Sequence, residues 1–507
     1  MHKINALHVA ILMTTAAAWM PAADVILYGV TIPPGTTKTV TWTAQGYARS
    51  ARVHVPSGYT GAAPVPLVVV VHGGGGTAAS IEASSRWSVA ADTAGWLAAY
   101  PQGLSLNSAG VDDPANELAY WANDRGTPPD LFGVNDVGMI TGLVDSLATA
   151  AALDTNRVYA MGMSNGGMMV HRLGRDSARY WAALSAVSGS YTATPSITPF
   201  APAFPVSMFI IHGTSDTIVP YAGGIVDGLG GAVIGAEASR DLWLQADGIT
   251  TPATQTSIPD TTVDGCTSQR FDHLGGQAGT RVTLIRVDGG NHSWPGGAGS
   301  SGVGAGNKTD DFSATDTVQA FFAGLHRQPE IAVAHDGHAL SSGDHETITD
   351  LLIGTAHEVT YAIANQGSGL LTCSGLAVTA ATGCTATVVS QPTTVASATT
   401  QSAVLQVIPN AATWSVTLGL VNDDSDEGNY TWTASGNAAT SSSGGTSGSD
   451  GSGGSDGSDG GGGCGAGTLS GAMLACITLL SVIRATALMG SQERRFARQA
   501  LGATPKR

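Results

Sequence analysis

Gly162-Met163-Ser164-Asn165-Gly166-Gly167 is the stretch that decides how the rest of this 507-residue chain is read. It follows an apolar run at 157–161 that suits a buried strand and precedes a helical run from Met168. A turn that passes from strand to helix so abruptly presses backbone against backbone, so only glycines fit beside the serine. The serine hydroxyl is thereby lifted clear of the sheet edge and set at a helix N-terminus, the arrangement of a nucleophile elbow.

Outward from this turn, apolar β-rich runs alternate with helical patterns between about residues 50 and 325. That alternation predicts an α/β domain, a mostly parallel sheet with helices on both faces. Strands are predicted at 66–71, 96–100, 206–211 and 281–287, each ending in turn residues. Val137, Ile140, Val144 and Leu147 recur at helical spacing and form one packing face, and 311–325 predicts a closing helix. Beyond Arg327 the composition shifts to Thr, Val, Ser and Gly with short alternating runs such as 358–364 and 402–408, which predicts an all-β sandwich over 328–440.

A serine hydroxyl is a poor nucleophile at neutral pH, so a histidine must take its proton and an acid must fix that imidazole's tautomer. Asp216, in His212-Gly213-Thr214-Ser215-Asp216, follows the predicted strand 206–211 and is the expected acid, with Asp288 as the substitute. His292, in Gly290-Asn291-His292-Ser293-Trp294, follows the strand 281–287 and is the expected base, with His273 the weaker competitor. The developing oxyanion needs backbone N–H donors. Asn165, directly after the nucleophile, supplies one; Gly73 or Gly74, in His72-Gly73-Gly74-Gly75-Gly76, supplies the other. His72 reads as a packing residue, and the glycine run lacks the Lys-Ser/Thr ending of a phosphate loop. Trp294 is either a wall of the substrate pocket or a core side chain. The mechanism requires no cofactor and no metal.

The ends of the chain predict export. Residues 1–23 carry an early lysine, an apolar Ala-rich run and small residues at 22–23, the outline of a signal peptide. Residues 441–467 are nearly all Gly, Ser and Asp, a linker composition. An apolar segment at 468–490 and a basic tail at 491–507 predict a membrane span with its basic end held inside, either retained as an anchor or processed. A net charge of −16 leaves no basic surface for nucleic acid. Five cysteines cannot all pair within the chain, and Cys373 with Cys384, whose ten intervening residues would close a small loop, form the expected disulfide.

Residues 50–325 resemble the extracellular poly(3-hydroxybutyrate) depolymerase-like esterases of the α/β-hydrolase fold, close to feruloyl and acetylxylan esterases. His72 to Gly76, Tyr100-Pro101-Gln102-Gly103, Asn135-Asp136-Val137-Gly138, the Ser164 hexapeptide, His212 to Asp216 and Gly290 to Gly296 carry the resemblance. It implies a triad of Ser164, Asp216 and His292 and hydrolysis of a polyhydroxyalkanoate or its oligomers through an acyl-enzyme, with feruloyl or acetylxylan esters as the alternative substrates. An alternative of another class is a surface adhesion protein with a vestigial hydrolase domain. The chain departs from the family pattern at Asn135, where an Asp is usual, and at Cys266, which stands alone where family members often carry a pair. Pro329 to Val333 and Asn422 to Glu427 ahead of Tyr430-Thr431-Trp432 resemble Ig-like choice-of-anchor modules of bacterial surface proteins. Gly460 to Cys464 with the segment after it resembles Gram-negative C-terminal sorting signals, which implies a cell-surface location.

Overall fold

The computed structural model describes residues 23–440, apart from 116, 194–199, 228–229, 299–305 and 425–426. The predicted signal peptide, linker, membrane segment and basic tail therefore lie outside the described residues. No helix among the described residues is long and apolar enough to cross a membrane.

Ten strands form one sheet: β1 (Thr36–Ala44), β2 (Tyr47–Val55), β3 (Val65–Val71), β4 (Leu97–Pro101), β5 (Leu153–Met163), β6 (Ala183–Val187), β7 (Ser207–Gly213), β8 (Thr254–Ile258), β9 (Thr267–His273) and β10 (Val282–Asp288). Their spatial order is β8-β9-β10-β7-β6-β5-β3-β4-β2-β1. The six from β10 to β4 run parallel, and antiparallel pairs close both edges.

Strand β3 shows why the sheet is covered twice. Leu67, Val69 and Val71 enter one core cluster while Val68 and Val70 enter another, because successive side chains point to opposite faces. On the first face lie α3 (Asp136–Ala150), α4 (Asn165–Ser177) and α5 (Ala236–Ala246), on the second α1 (Ala78–Ser85), α2 (Trp87–Ala94) and α6 (Ala314–Ala323). Each predicted parallel strand is present within a few residues of its expected bounds, as is each predicted helix. The predicted helix face is α3, whose Ile140, Val144 and Leu147 are buried. These six helices can thus be read as lids on the two apolar faces of the sheet.

Residues 331–439 form a separate all-β region of two sheets around one core, with Tyr361, Leu405 and Val407 on one side and Val416, Leu418 and Trp432 on the other. The expected disulfide is not formed: Cys373 and Cys384 are both free and buried. The residues between them are no loop but an extended strand, Leu371–Thr382, with Cys373 near its start and Cys384 beyond its end. At about 3.3 Å per residue the two thiols stand roughly 30 Å apart. Cys266 is likewise free.

One buried acid in the α/β domain carries a stability signature. Asp247 caps α5 and is fully buried; Oδ1 accepts the Val206 N–H at 3.1 Å, whereas Oδ2 has no donor. Burial, opposed by the Val206 hydrogen bond, pushes its carboxyl up to about 7. The unfolded chain releases this proton near pH 4, so the folded state binds more protons between about pH 4 and 7 and stability falls as pH rises through that window. Asp247→Asn is expected to remove this slope, seen as urea midpoints at pH 5 and pH 8 that lie closer together than those of wild type.

Candidate active site

Strand β5 ends at Met163 and α4 begins at Asn165, so Ser164 alone makes the turn. Its backbone sits at φ 57°, ψ −122°, a region that non-glycine residues occupy only where the surroundings force them. The surroundings are backbone. A Cβ on Gly166 would lie 2.3 Å from the Val71 carbonyl oxygen and 2.5 Å from that of His72, and one on Gly162 would lie 2.5 Å from the Gly166 oxygen. The Ser164 N–H donates to Val187 O at 2.9 Å, and Ser164 O accepts the Met168 N–H that starts α4. The elbow is thus locked between the ends of β3 and β6.

Gly73 lies against the serine. A Cβ placed on it would stand 3.3 Å from Ser164 Cβ and 3.9 Å from Oγ. The loop that carries it is held by His72, whose Nδ1 donates to Gly73 O at 2.7 Å and whose Nε2 accepts the Gly103 N–H at 3.0 Å. Burial brings this imidazole down to about 4 against the pull of the Gly73 carbonyl. His72 is therefore a neutral strut, in keeping with the packing role expected of it.

The opposite donor, Asn165, is held by residues that the sequence did not single out. Trp121 donates its backbone N–H to Asn165 Oδ1 at 2.9 Å and its indole N–H to His72 O at 2.8 Å. Asn123 Nδ2 donates to Asn165 O at 3.3 Å. One residue, Trp121, therefore ties the glycine loop to the start of α4. Asp136 secures this segment in turn: Oδ2 accepts the Ala122 N–H at 2.8 Å while Oδ1 pairs with Arg49, both side chains being buried.

Asp216 stands in the loop after β7, and its Oδ1 accepts the Ile218 and Val219 N–H groups at 3.0 and 2.9 Å. Oδ2 accepts Nδ1–H of His292 at 2.8 Å. Burial pushes this carboxyl upward, but hydrogen bonds from His212 and His292 outweigh it and hold it well below the usual carboxylate range. Asp216 is thus an anion at any working pH. With Nδ1 committed to Asp216, His292 keeps Nε2 as its proton acceptor. Its loop is braced by Asn291 N–H to Asn307 O at 2.7 Å, and Ser188 Oγ donates to Ser293 O at 3.3 Å. Ser164 and the residue after His292 are both tied to the Val187-Ser188 corner.

The alternatives fall elsewhere. His273 pairs with Val282 at the far end of β10 from His292, and Asp288 is engaged by Arg286 at 2.9 Å. Trp294 is buried in the core: it is 4% exposed, lies in the cluster under α6, and its indole N–H donates to Thr315 Oγ1. Asn135, where the family pattern has an acid, accepts the Gly138 N–H as the N-cap of α3.

Residues 60–226 match the phospholipase/carboxylesterase family model. A protein described as an esterase, NocK of Nocardia uniformis subsp. tsuyamanensis, is 29% identical over 55% of this chain and 80% of its own length. Feruloyl esterase B of Piromyces equi is 26% identical over 48% of this chain and 42% of its own. Poly(3-hydroxyalkanoate) depolymerase C of Paucimonas lemoignei is 36% identical over 23% of this chain and 25% of its own. The chain spans less than half the length of the last two. The domain thus has an α/β-hydrolase fold, and parts of it are similar to carboxylesterases, to feruloyl esterases and to a polyhydroxyalkanoate depolymerase.

Proposed function

We propose that this chain hydrolyses carboxylic esters through an acyl-enzyme on Ser164. The observation that carries the reading is the 2.8 Å bond from His292 Nδ1 to an ionised Asp216, formed at the same sheet edge as a serine forced to positive φ. His292 Nε2 takes the hydroxyl proton as Ser164 Oγ attacks the ester carbonyl, and Asp216 stabilises the imidazolium that results. The negative charge that develops on the carbonyl oxygen is met by the Asn165 N–H and an N–H of the Gly73-Gly74 turn. Collapse of the tetrahedral intermediate releases the alcohol, which takes its proton from His292; water then repeats the sequence on the acyl-enzyme.

The substrate class proposed is a hydroxyalkanoate polyester or its oligomers, supported by the family resemblance and by the 36% identity to the depolymerase. Feruloyl and acetylated polysaccharide esters are the second reading, supported by the longer match to the Piromyces enzyme. The same proposal places the enzyme outside the cell. Residues 1–23 act as an export signal, an Ig-like spacer over 328–440 follows the catalytic domain, and residues 468–490 anchor or release the chain.

Two experiments test these readings. A fluorophosphonate should label the protein once, on the peptide containing Ser164, and label on any other residue would overturn the assignment. Poly(3-hydroxybutyrate), methyl ferulate and acetylated xylan offered side by side then decide the substrate, with release of hydroxybutyrate expected to dominate.

A further inference from the structure

The Asp216 carboxylate has a second imidazole beside it. His212, the penultimate residue of β7, is completely buried, and its Nε2 lies 2.8 Å from Val219 O and 3.4 Å from Asp216 Oδ2. A carbonyl oxygen can only accept, so Nε2 carries the proton, donates it to Val219 O and turns the same N–H edge toward Asp216 Oδ2. Nδ1, on the far side of the ring, faces Ser190 Oγ at 3.5 Å. His212 therefore keeps its Nε2–H aimed at the same carboxylate oxygen that receives His292.

We infer that His212 is a positioning residue that sets the basicity of His292 by competing with it for Asp216 Oδ2; the inference rests on the acyl-enzyme reading above. A carboxylate oxygen that already accepts one N–H carries less negative charge toward a second donor. With His212 in place, Asp216 orients His292 without holding its proton too tightly, so the base stays free at lower pH. Without it, Oδ2 is left to His292 alone, the imidazolium is stabilised, and His292 takes up its proton at higher pH.

The neighbours of this pair leave room for that effect. His171 of α4 lies within electrostatic reach of His212, but burial brings it down to about 4 and its two nitrogens are engaged by Gly189 O and the Trp243 indole. Tyr221 meets the His212 ring edge-on at 5.7 Å and donates its hydroxyl to Glu237. Arg286, opposite His212 across the β7–β10 pair, is engaged by Asp288. The groups that face His212 are thus either neutral or paired.

Two substitutions separate this role from packing. In His212→Gln the amide reaches the place of Nε2 and keeps a second donor beside Asp216; in His212→Asn it reaches only the place of Nδ1 and leaves Oδ2 to His292 alone. The acid limb of kcat/KM for p-nitrophenyl butyrate should stay near the wild-type position in the Gln variant and rise by roughly half a pH unit or more in the Asn variant. A readout that needs no activity is the low-field proton resonance of His292 Nδ1–H, identified by its loss in His292→Ala. Its pH midpoint should rise in the Asn variant alone. Identical midpoints in the two variants, shifted or not, would overturn the inference. If instead Ser164→Ala still hydrolyses the ester, the acyl-enzyme reading fails while the resonance still tests His212. Should His212→Asn not fold, Ser190→Ala, which frees the ring to turn away from Asp216, is expected to shift the same midpoint in the same direction, and an unmoved midpoint there also counts against the role.

Discussion

Ser164→Ala is expected to abolish hydrolysis of p-nitrophenyl esters while leaving the fold intact. Where nucleophile and base act as one unit, loss of the nucleophile costs on the order of 10⁶-fold in kcat. Nothing compensates nearby: Gly73 and Gly166, which flank the serine, carry no side chain that could take its place. Removing Oγ deletes no hydrogen bond that supports the elbow, whose bonds run through the Ser164 N–H and C=O. Stability should therefore be unchanged within about 0.5 kcal/mol, the range of substitutions that touch no structural feature. Asp216→Asn should act through His292 instead. An amide at Oδ2 would favour the wrong tautomer of the imidazole, at a cost of roughly 10⁴-fold in kcat by analogy with other triads. Residual Ser164→Ala activity above a tenth of wild type would defeat the assignment of the nucleophile.

Asp136→Ala should destabilise the catalytic domain by about 3–5 kcal/mol, because it leaves the Arg49 guanidinium buried without a counter-charge. Both side chains are at most 1% exposed, and Arg49 Nε and Nη1 already lack partners. Burial pushes the Asp136 carboxyl up, and Arg49, helped by the Ala122 N–H and by Arg172, pulls it back. The same change frees the Ala122 N–H and loosens Trp121, so kcat should fall along with stability. Replacing both members by apolar residues, as in Arg49→Met with Asp136→Leu, should recover most of the stability, since a buried pair is weakly favourable against well-packed apolar groups. The urea midpoints of the single and double variants measure this. A double variant no more stable than Asp136→Ala alone would show that the Ala122 bond, and not the charge balance, dominates.

Much of the catalytic domain was legible because its demands are local. Gly162 and Gly166 stand where any side chain would strike a carbonyl, so the hexapeptide encodes its turn directly. Asp216 and His292 each follow a short apolar strand, and a parallel sheet brings the ends of such strands to one edge. Partners that come from distant segments were not legible. Trp121 lies in a loop with no periodicity, 44 residues from Asn165, and Arg49 lies 87 residues from Asp136. Trp294 is decided by which face of β10's following loop turns toward α6, and no spacing reports that. The Cys373–Cys384 expectation failed for a related reason: ten intervening residues can close a loop or run straight, and alternation such as Leu371–Thr382 favours running straight.

Trp121 holds the Asn165 side chain and the His72 carbonyl, on either side of the serine, with two bonds from a single residue. The described residues from Leu104 to Tyr120, which lead to it, make neither of these bonds. Insertions and exchanges there can recast the rim against which an alcohol or acyl chain rests, and the charge-stabilising cradle beneath keeps its shape. A lineage built on this plan could change what it eats without relearning how to cut.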